Sequence, residues 1–87
     1  MTDAELRTVV VAELTRIAPE LDPATIRIDA PLRDQVDIDS MDFLHFVIAL
    51  HDRLDVDIPE SDYARLSSVG AIVGYLAQKR VPGKVSP

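Results

Sequence analysis

The sequence predicts an all-α protein, a four-helix bundle with three principal helices and one short helix before the last. Apolar residues recur at helical spacing over three long segments. Proline residues fall between these segments and not within them. The only strand-like runs, VVVA and LDVDI, fit the helical periods better than a strand pattern.

The first helix is predicted from Thr2 to Ala18. Its apolar residues recur at helical spacing, namely Leu6, Val10, Leu14 and Ile17. Thr2 and Glu5 have the spacing of a capping box, and Pro19 stops the helix because the residue before a proline disfavours helical geometry.

A long ordered loop is predicted from residue 19 to residue 38, because three prolines interrupt it and no period persists. One turn is expected at Pro23 to Ile26. Five apolar side chains are expected to hold the loop against the core: Leu21, Ile26, Ile28, Leu32 and Ile38.

The second helix is predicted to begin at Asp39 or Ser40 and to end at Leu54. A short helix follows, with Pro59 suited to its first position. Ser67 or Ser68 is expected to cap a last helix that ends near Arg80. Its buried face is expected to contain Val69, Ile72, Val73 and Leu76. Residues 1–80 would form a single domain, and residues 81–87 are expected to be a disordered tail.

The second helix carries two apolar faces when its residues are placed about 100° apart. One face is expected to join the core and contains Phe43, Phe46, Val47, Leu50 and Leu54. The other, which we call the apolar stripe, consists of Met41, Leu44 and Ile48, and its polar rim consists of His45, His51 and Asp52. An apolar strip with a polar rim is typical of a protein-binding patch, although a neighbouring loop could also cover it.

Composition excludes several classes of function. Nine basic residues against 15 acidic residues give a formal charge of −6, which disfavours nucleic acids and anionic membranes. There is no cysteine, and hence no disulfide or thiolate metal site. No signal peptide or membrane span is recognisable. We therefore expect a monomeric, cytoplasmic protein.

Ser40 stands where the polar stretch DIDS meets the second helix. Either Asp39 or Ser40 can act as the helix N-cap. The Ser40 hydroxyl is also suited to carry a phosphate, because a helix N-terminus offers unpaired N–H groups and a positive dipole end. The two interpretations are compatible.

Catalysis by Ser40 itself is not predicted. A nucleophilic serine needs a positioned base, and on the helical wheel His45 points away from Ser40 while His51 lies about three turns along. Asp37, Asp39 and Asp42 could share a transient cation with a partner, but they lack the spacing of a dedicated site, and no resident metal is predicted.

The segment from Pro31 to Leu76 resembles an acyl carrier protein. The resemblance depends on three motifs in register: DSM at Asp39–Met41, IP at Ile58–Pro59 and SSV at Ser67–Val69. It implies that Ser40 carries a 4′-phosphopantetheine arm, donated by coenzyme A, on which acyl groups travel as thioesters. The protein would then be a carrier and not an enzyme.

The resemblance also implies partners. A phosphopantetheinyl transferase would attach the arm, with Asp39 assisting the metal-dependent transfer, and acyl-loading and acyl-transferring enzymes would contact the apolar stripe and its rim. Asp42 and Asp52 keep the acidic character that the family shows on this helix. His45, His51 and Arg53 stand where glutamate is usual.

A less acidic face should interact less strongly with a very basic docking site, and the histidines could add positive charge to it at mildly acidic pH. These departures therefore suggest a dedicated lipid or secondary-metabolite pathway and not bulk fatty-acid synthesis. Asp37 replaces a common glycine, so the turn before the serine or the transferase contact could differ. Phe43 could either narrow or line an acyl pocket.

Two other interpretations remain open. A carrier of aminoacyl or peptidyl groups would share the bundle and the modified serine. An unmodified acidic helical adaptor would use Ser40 only as a cap and would bind a partner helix through the apolar stripe.

Overall fold

The computed structural model describes residues 2–79 and consists of helices joined by ordered loops. The three principal helices are α1 (Asp3–Ile17), α2 (Ser40–Leu54) and α3 (Val69–Lys79). Three 3-10 helices occupy Pro23–Thr25, Leu32–Asp34 and Glu60–Arg65, and we call the last of these the short helix. Within residues 2–79 the only extended pairing is an isolated bridge between Pro31 and Ser68.

This architecture confirms the predicted all-α fold, with one short helix before the last. The predicted tail at residues 81–87 lies outside the described residues. None of the helices within residues 2–79 has the length and apolar character that a bilayer crossing requires.

The capping box at the start of α1 is formed as predicted. The Thr2 hydroxyl accepts a hydrogen bond from the backbone N–H of Glu5 at 3.2 Å, and the Glu5 carboxylate accepts one from the backbone N–H of Thr2 at 2.8 Å. The bond from the Thr2 backbone is the main cause that lowers the pKa of the Glu5 carboxyl. The start of α1 is therefore fixed by local chemistry.

The buried face of α1 is wider than predicted. Leu6, Val10 and Leu14 are buried as expected, but Val9 and Glu13 are buried too. The added width arises because α1 packs against both α2 and α3. A helix between two neighbours needs a broader buried face than a helix that contacts one.

The long loop is held to the rest of the molecule partly through its backbone. The N–H of Leu32 donates to the carbonyl of Ser67, and the N–H of Gly70 donates to the carbonyl of Ile28, each at 2.8 Å. The Gln35 side-chain amide bonds both backbone groups of Arg27. The loop is thereby joined to the start of α3.

One of the five predicted loop anchors is wrong. Leu32 is buried, and Leu21, Ile26 and Ile38 are partly buried against the core. The side chain of Ile28 is exposed. This segment is held by the Ile28 carbonyl, so its side chain is free to face outward.

The last two helices begin close to the predicted positions. Pro59 precedes the short helix and does not occupy its first position, which corrects the prediction by one residue. The hydroxyl of Ser68 accepts a hydrogen bond from the N–H of Ala71 at 3.1 Å, so Ser68, and not Ser67, caps α3.

The side chain of Tyr75 links α3 to the short helix. The Tyr75 hydroxyl donates to the Asp62 carboxylate at 2.5 Å, and the side chains of Arg65 and Lys79 lie over the Tyr75 ring. The buried tyrosine therefore fixes the position of the short helix on the bundle.

Candidate functional site

Ser40 is the first residue of α2, and it is exposed. The N-cap is Asp39, whose carboxylate accepts a hydrogen bond from the backbone N–H of Asp42 at 2.8 Å. Because the aspartate supplies the cap, no hydrogen bond within the described residues engages the Ser40 hydroxyl. The hydroxyl stands at the positive end of the helix dipole and is available for chemistry.

The two histidines of α2 do not act on Ser40. His45 is exposed, and Nδ1 of His51 lies 2.8 Å from the carbonyl oxygen of Val56. Because a carbonyl only accepts, this contact requires a proton on Nδ1. His51 therefore supports the end of α2, and within residues 2–79 neither histidine is hydrogen-bonded to Ser40.

The three aspartates before and after Ser40 do not form a metal site of their own. In the part of the chain that the structure describes, no group of three His, Cys, Asp or Glu side chains is arranged to hold a metal ion. Asp39 is committed to the cap, while Asp37 is exposed and Asp42 is partly buried.

The apolar stripe is exposed, as the helical wheel predicts. Met41 retains 58%, Leu44 38% and Ile48 47% of their accessible surface. Among the described residues, no loop covers them, which removes the covering-loop interpretation. The rim residues His45, His51 and Asp52 are also exposed.

Arg53 is exposed and forms an ion pair with a buried carboxylate on α1. Its guanidinium lies 2.8 Å from the carboxylate of Glu13 on α1, and Arg16 contacts the same carboxylate at 3.1 Å. Glu13 is almost fully buried. The burial of Glu13 was not identified from the sequence, because a charged residue is ordinarily exposed.

Two grooves open at Ser40. The first, which we call the loop groove, has a volume of about 590 Å³ and lies between the long loop, the start of α2 and the short helix. The second, which we call the stripe groove, has a volume of about 320 Å³ and includes Met41 and Leu44. Ser40, Phe43 and Tyr63 line both grooves.

Phe43 and Tyr63 meet edge to face, with ring centroids 5.8 Å apart and planes at 77°. Phe43 also contacts Phe46, at 6.0 Å between ring centroids. Phe43 is partly buried against the core and Phe46 is fully buried. Phe43 thus lines the space beside Ser40. Tyr63 was not identified from the sequence, because it lies 20 positions after Phe43 in the chain.

A larger groove of about 760 Å³ lies between α1 and the segment from Pro23 to Ile28. It does not include Ser40 or any residue of α2. This groove therefore contains none of the candidate site residues.

The chain is similar to known proteins over most of its length. The family model described as "Phosphopantetheine attachment site" matches residues 5–76. The chain is 31% identical over 77 residues to the acyl carrier protein of Rhodococcus erythropolis, with 85% of each chain covered. It is 30% identical over 66 residues to the meromycolate extension acyl carrier protein of Mycobacterium bovis, covering 76% of this chain and 57% of that protein.

A solved structure of the acyl carrier protein from Enterococcus faecalis has the same fold. The TM-score is 0.76 at 23% sequence identity, and the match covers 91% of this chain and 99% of that one. At this identity the likeness supports the fold only.

Proposed function

The chain belongs to the acyl carrier protein family, whose phosphopantetheine attachment domain carries 4′-phosphopantetheine, and from that premise we propose that Ser40 is the residue that carries the arm. Acyl groups would travel as thioesters on the terminal thiol of the arm. The observation that supports this assignment is the exposed Ser40 hydroxyl, which the Asp39 cap leaves unused at the start of α2.

The residues of this chain provide a suitable attachment point. Ser40 supplies the oxygen of a phosphodiester, and the start of α2 supplies the favourable dipole for its negative charge. The arm, when bound, supplies the thiol that a chain without cysteine lacks. No hydrogen bond in the described residues joins a base to the Ser40 hydroxyl, and we expect the transferase to remove the hydroxyl proton.

We further propose that the apolar stripe is the surface on which the transferase and the acyl-handling enzymes dock. Its three side chains are exposed on α2, and Met41 and Leu44 line a groove with Ser40. Asp42, His45, His51 and Asp52 would orient the partner around them. Leu44→Glu is expected to raise the KM of the transferase for this chain. Ile28→Glu serves as the control with the same change of charge, because Ile28 is an exposed apolar residue outside both grooves at Ser40. Equal KM values for the two variants would contradict this assignment.

We also propose a dedicated lipid or secondary-metabolite pathway. His45 is an exposed departure from the acidic family pattern. The similarity to a relative named for meromycolate extension is consistent with the proposal. Turnover of the loaded protein by housekeeping fatty-acid synthase enzymes should be lower than that of a housekeeping carrier. Equal turnover would contradict the proposal.

Intact mass spectrometry tests the attachment site. The protein is incubated with coenzyme A, Mg²⁺ and a broad-specificity phosphopantetheinyl transferase, together with Ser40→Ala and Ser67→Ala. One phosphopantetheine should be added to the wild type and to Ser67→Ala, an exposed serine used as the matched control, and none to Ser40→Ala. Absence of any gain in the folded wild type would favour the adaptor interpretation.

Loading experiments separate the acyl carrier from a carrier of aminoacyl or peptidyl groups. The modified protein is offered to an acyl-activating enzyme and to an amino-acid-activating enzyme, and the mass of the arm is followed. We expect acyl loading. Exclusive loading with an amino acid would replace this assignment by the second carrier type.

A further inference from the structure

The groove between α1 and the segment from Pro23 to Ile28, which we call the α1 groove, has a charge pattern opposite to that of the whole chain. Its volume is about 760 Å³, and its lining is apolar apart from two threonines and two arginines. We propose that the α1 groove is a docking site for an acidic amphipathic helix of a partner protein. The proposal goes beyond the carrier function and does not depend on Ser40.

The floor of the α1 groove can be covered by apolar side chains although it contains threonines. Thr8, Val11, Ala12 and Thr15 follow helical spacing on the side of α1 opposite its buried face. The hydroxyl of Thr8 donates to the carbonyl of Ala4 at 3.0 Å, and the hydroxyl of Thr15 donates to the carbonyl of Val11 at 2.8 Å. Because both donors are already satisfied within the helix, an apolar partner side chain does not strand them.

The opposite wall of the α1 groove explains why Ile28 faces outward. Ile28 retains 42% of its accessible surface, and in residues 2–79 it is the one large exposed apolar side chain outside the apolar stripe. A smaller groove of about 300 Å³ shares Ile28 and Arg7 with the α1 groove and continues onto α3 at Gly70 and Gly74. Ile28 therefore lies where two grooves meet, as a contact for a partner that spans both.

The charges of the lining favour an acidic partner. Among the described residues, the charged members of the lining are Arg7 and Arg16. Arg7 forms no ion pair within residues 2–79, and Asp3, four positions earlier, lines only the smaller groove. Arg16 shares the Glu13 carboxylate with Arg53, so two guanidinium groups face one carboxylate. The α1 groove is thus positive in a chain of net charge −6, and it attracts acidic side chains.

A helix suits the dimensions of this surface. The small side chains of the floor allow a second helix axis to approach to about 8–10 Å. Arg7 and Arg16 are nine positions apart, which is about 14 Å along the axis of α1. Acidic residues near the two ends of one short partner helix can therefore meet both arginines. An extended partner segment would need an open sheet edge, whereas the only extended pairing in the described residues is an isolated bridge.

Docking at the α1 groove leaves the surfaces at Ser40 free. No residue of α2 lines this groove, so a partner seated there does not cover the apolar stripe. The last residues of the chain are not favoured as the occupant, since residues 80–87 contain Arg80 and Lys84 and no acidic side chain. In a carrier, such a partner would hold the protein while enzymes use the stripe.

Model peptides test the preference for an acidic helix. Two fluorescent helical peptides of about 14 residues share a leucine face at spacings of three and four and differ in having glutamate or lysine along its edges. Binding to the full, unmodified protein is measured by anisotropy. We expect the glutamate peptide to bind about tenfold more tightly, although the net charge of −6 favours the lysine peptide. Equal affinities, or tighter binding of the lysine peptide, would overturn the proposal.

Two variants with the same change of charge locate the peptide. Ile28→Glu and Leu44→Glu each replace an exposed apolar side chain by an acid. Ile28→Glu should weaken binding of the glutamate peptide about tenfold, and Leu44→Glu should leave it unchanged. The reverse order would place the peptide on the apolar stripe and would overturn the proposal.

A charge reversal tests the role of the arginines and provides a second variant should Ile28→Glu fail to fold. Arg7→Glu should weaken binding of the glutamate peptide about tenfold. Arg33→Glu, at an exposed arginine outside the α1 groove, is the matched control and should bind as the wild type does. Equal losses in the two variants would reduce the effect to net charge and would overturn the proposal.

The outcomes are separate from those for Ser40, because the peptides are offered to protein without the arm. Sedimentation of the protein alone examines a second copy of this chain as the occupant, since α2 presents an apolar stripe with Asp42 and Asp52 near it. Self-association that is lost in both Ile28→Glu and Leu44→Glu would assign the α1 groove to that second copy and would overturn the proposal. A monomer at all concentrations, together with binding of the glutamate peptide, supports it.

Discussion

The carboxylate of Asp39 accepts a hydrogen bond from the backbone N–H of Asp42 at 2.8 Å, which leaves the intervening Ser40 hydroxyl outside the cap. Asp39→Asn should preserve the cap, because asparagine is as good an N-cap as aspartate, whereas Asp39→Ala should lower the free energy of unfolding by about 1 kcal/mol. Urea denaturation measures the difference.

The same two variants separate capping from transfer chemistry. If the Asp39 charge assists a metal-dependent transferase, Asp39→Asn should be modified more slowly than the wild type although its stability is unchanged. Mass spectrometry over a time course provides the rate. A variant that is modified at the wild-type rate would limit Asp39 to its structural role.

The ion pair between Glu13 and Arg53 joins α1 to α2. Arg53→Ala should destabilise the protein by about 1–3 kcal/mol, because it leaves the buried Glu13 carboxylate with only the exposed Arg16 as partner. Glu13→Met combined with Arg53→Ala should recover most of this loss, since the buried charge is gone. A double variant less stable than Arg53→Ala would contradict this account.

Two glycines in α3 provide a matched pair. A Cβ at Gly74 would meet no atom within 4 Å, so Gly74→Ala should raise the free energy of unfolding by about 1 kcal/mol through helix propensity. A Cβ at Gly70 would lie 3.0 Å from the carbonyl oxygen of Ile28. Gly70→Ala should therefore gain less or lose stability, and the amide of residue 70 should exchange hydrogen faster. Equal gains in the free energy of unfolding for Gly70→Ala and Gly74→Ala would contradict the prediction, because the long loop would then have moved away from residue 70 without cost.

The raised pKa of Tyr75 predicts that the protein loses stability at alkaline pH. Burial, together with the hydrogen bond to Asp62, raises the pKa of Tyr75 from 10.0 to about 12. Above pH 10 the unfolded chain loses this proton before the folded chain does, so the contribution that is complete below pH 10 is lost as the pH rises towards about 12.

Urea denaturation at several pH values checks the effect with Tyr75→Phe as the comparison. At neutral pH, Tyr75→Phe should lose about 1 kcal/mol for the missing hydrogen bond. The difference between wild type and variant should shrink between pH 10 and 12. If the difference stays constant over this pH range, ionisation of the Tyr75 hydroxyl does not cause the loss of stability.

Features that follow from helical period were predictable from the sequence. The spacing of Leu6, Val10 and Leu14 indicated the buried face of α1, and the wheel separated the core face of α2 from its exposed apolar stripe, because both depend on residues within one helix. Local capping chemistry similarly located the starts of α1 and α2.

Features that depend on distant segments were not predictable in the same way. Glu13 is a charged residue in a helix, and only its meeting with Arg53 explains its burial. The sequence placed Phe43 near an acyl pocket but could not bring Tyr63 to its ring. The apolar character of Ile28 predicts a core anchor, whereas its backbone bond to Gly70 depends on a residue that is distant in the sequence.

The backbone bonds that join the long loop to the start of α3 also bear on the order of folding. Leu32 with Ser67 and Ile28 with Gly70 are pairs far apart in sequence, and such contacts form slowly because a long segment must close before they are made. The helical turn that begins at Ser40 needs only neighbouring residues. The loop groove is therefore expected to be the last part of the site to exist as a newly made chain folds.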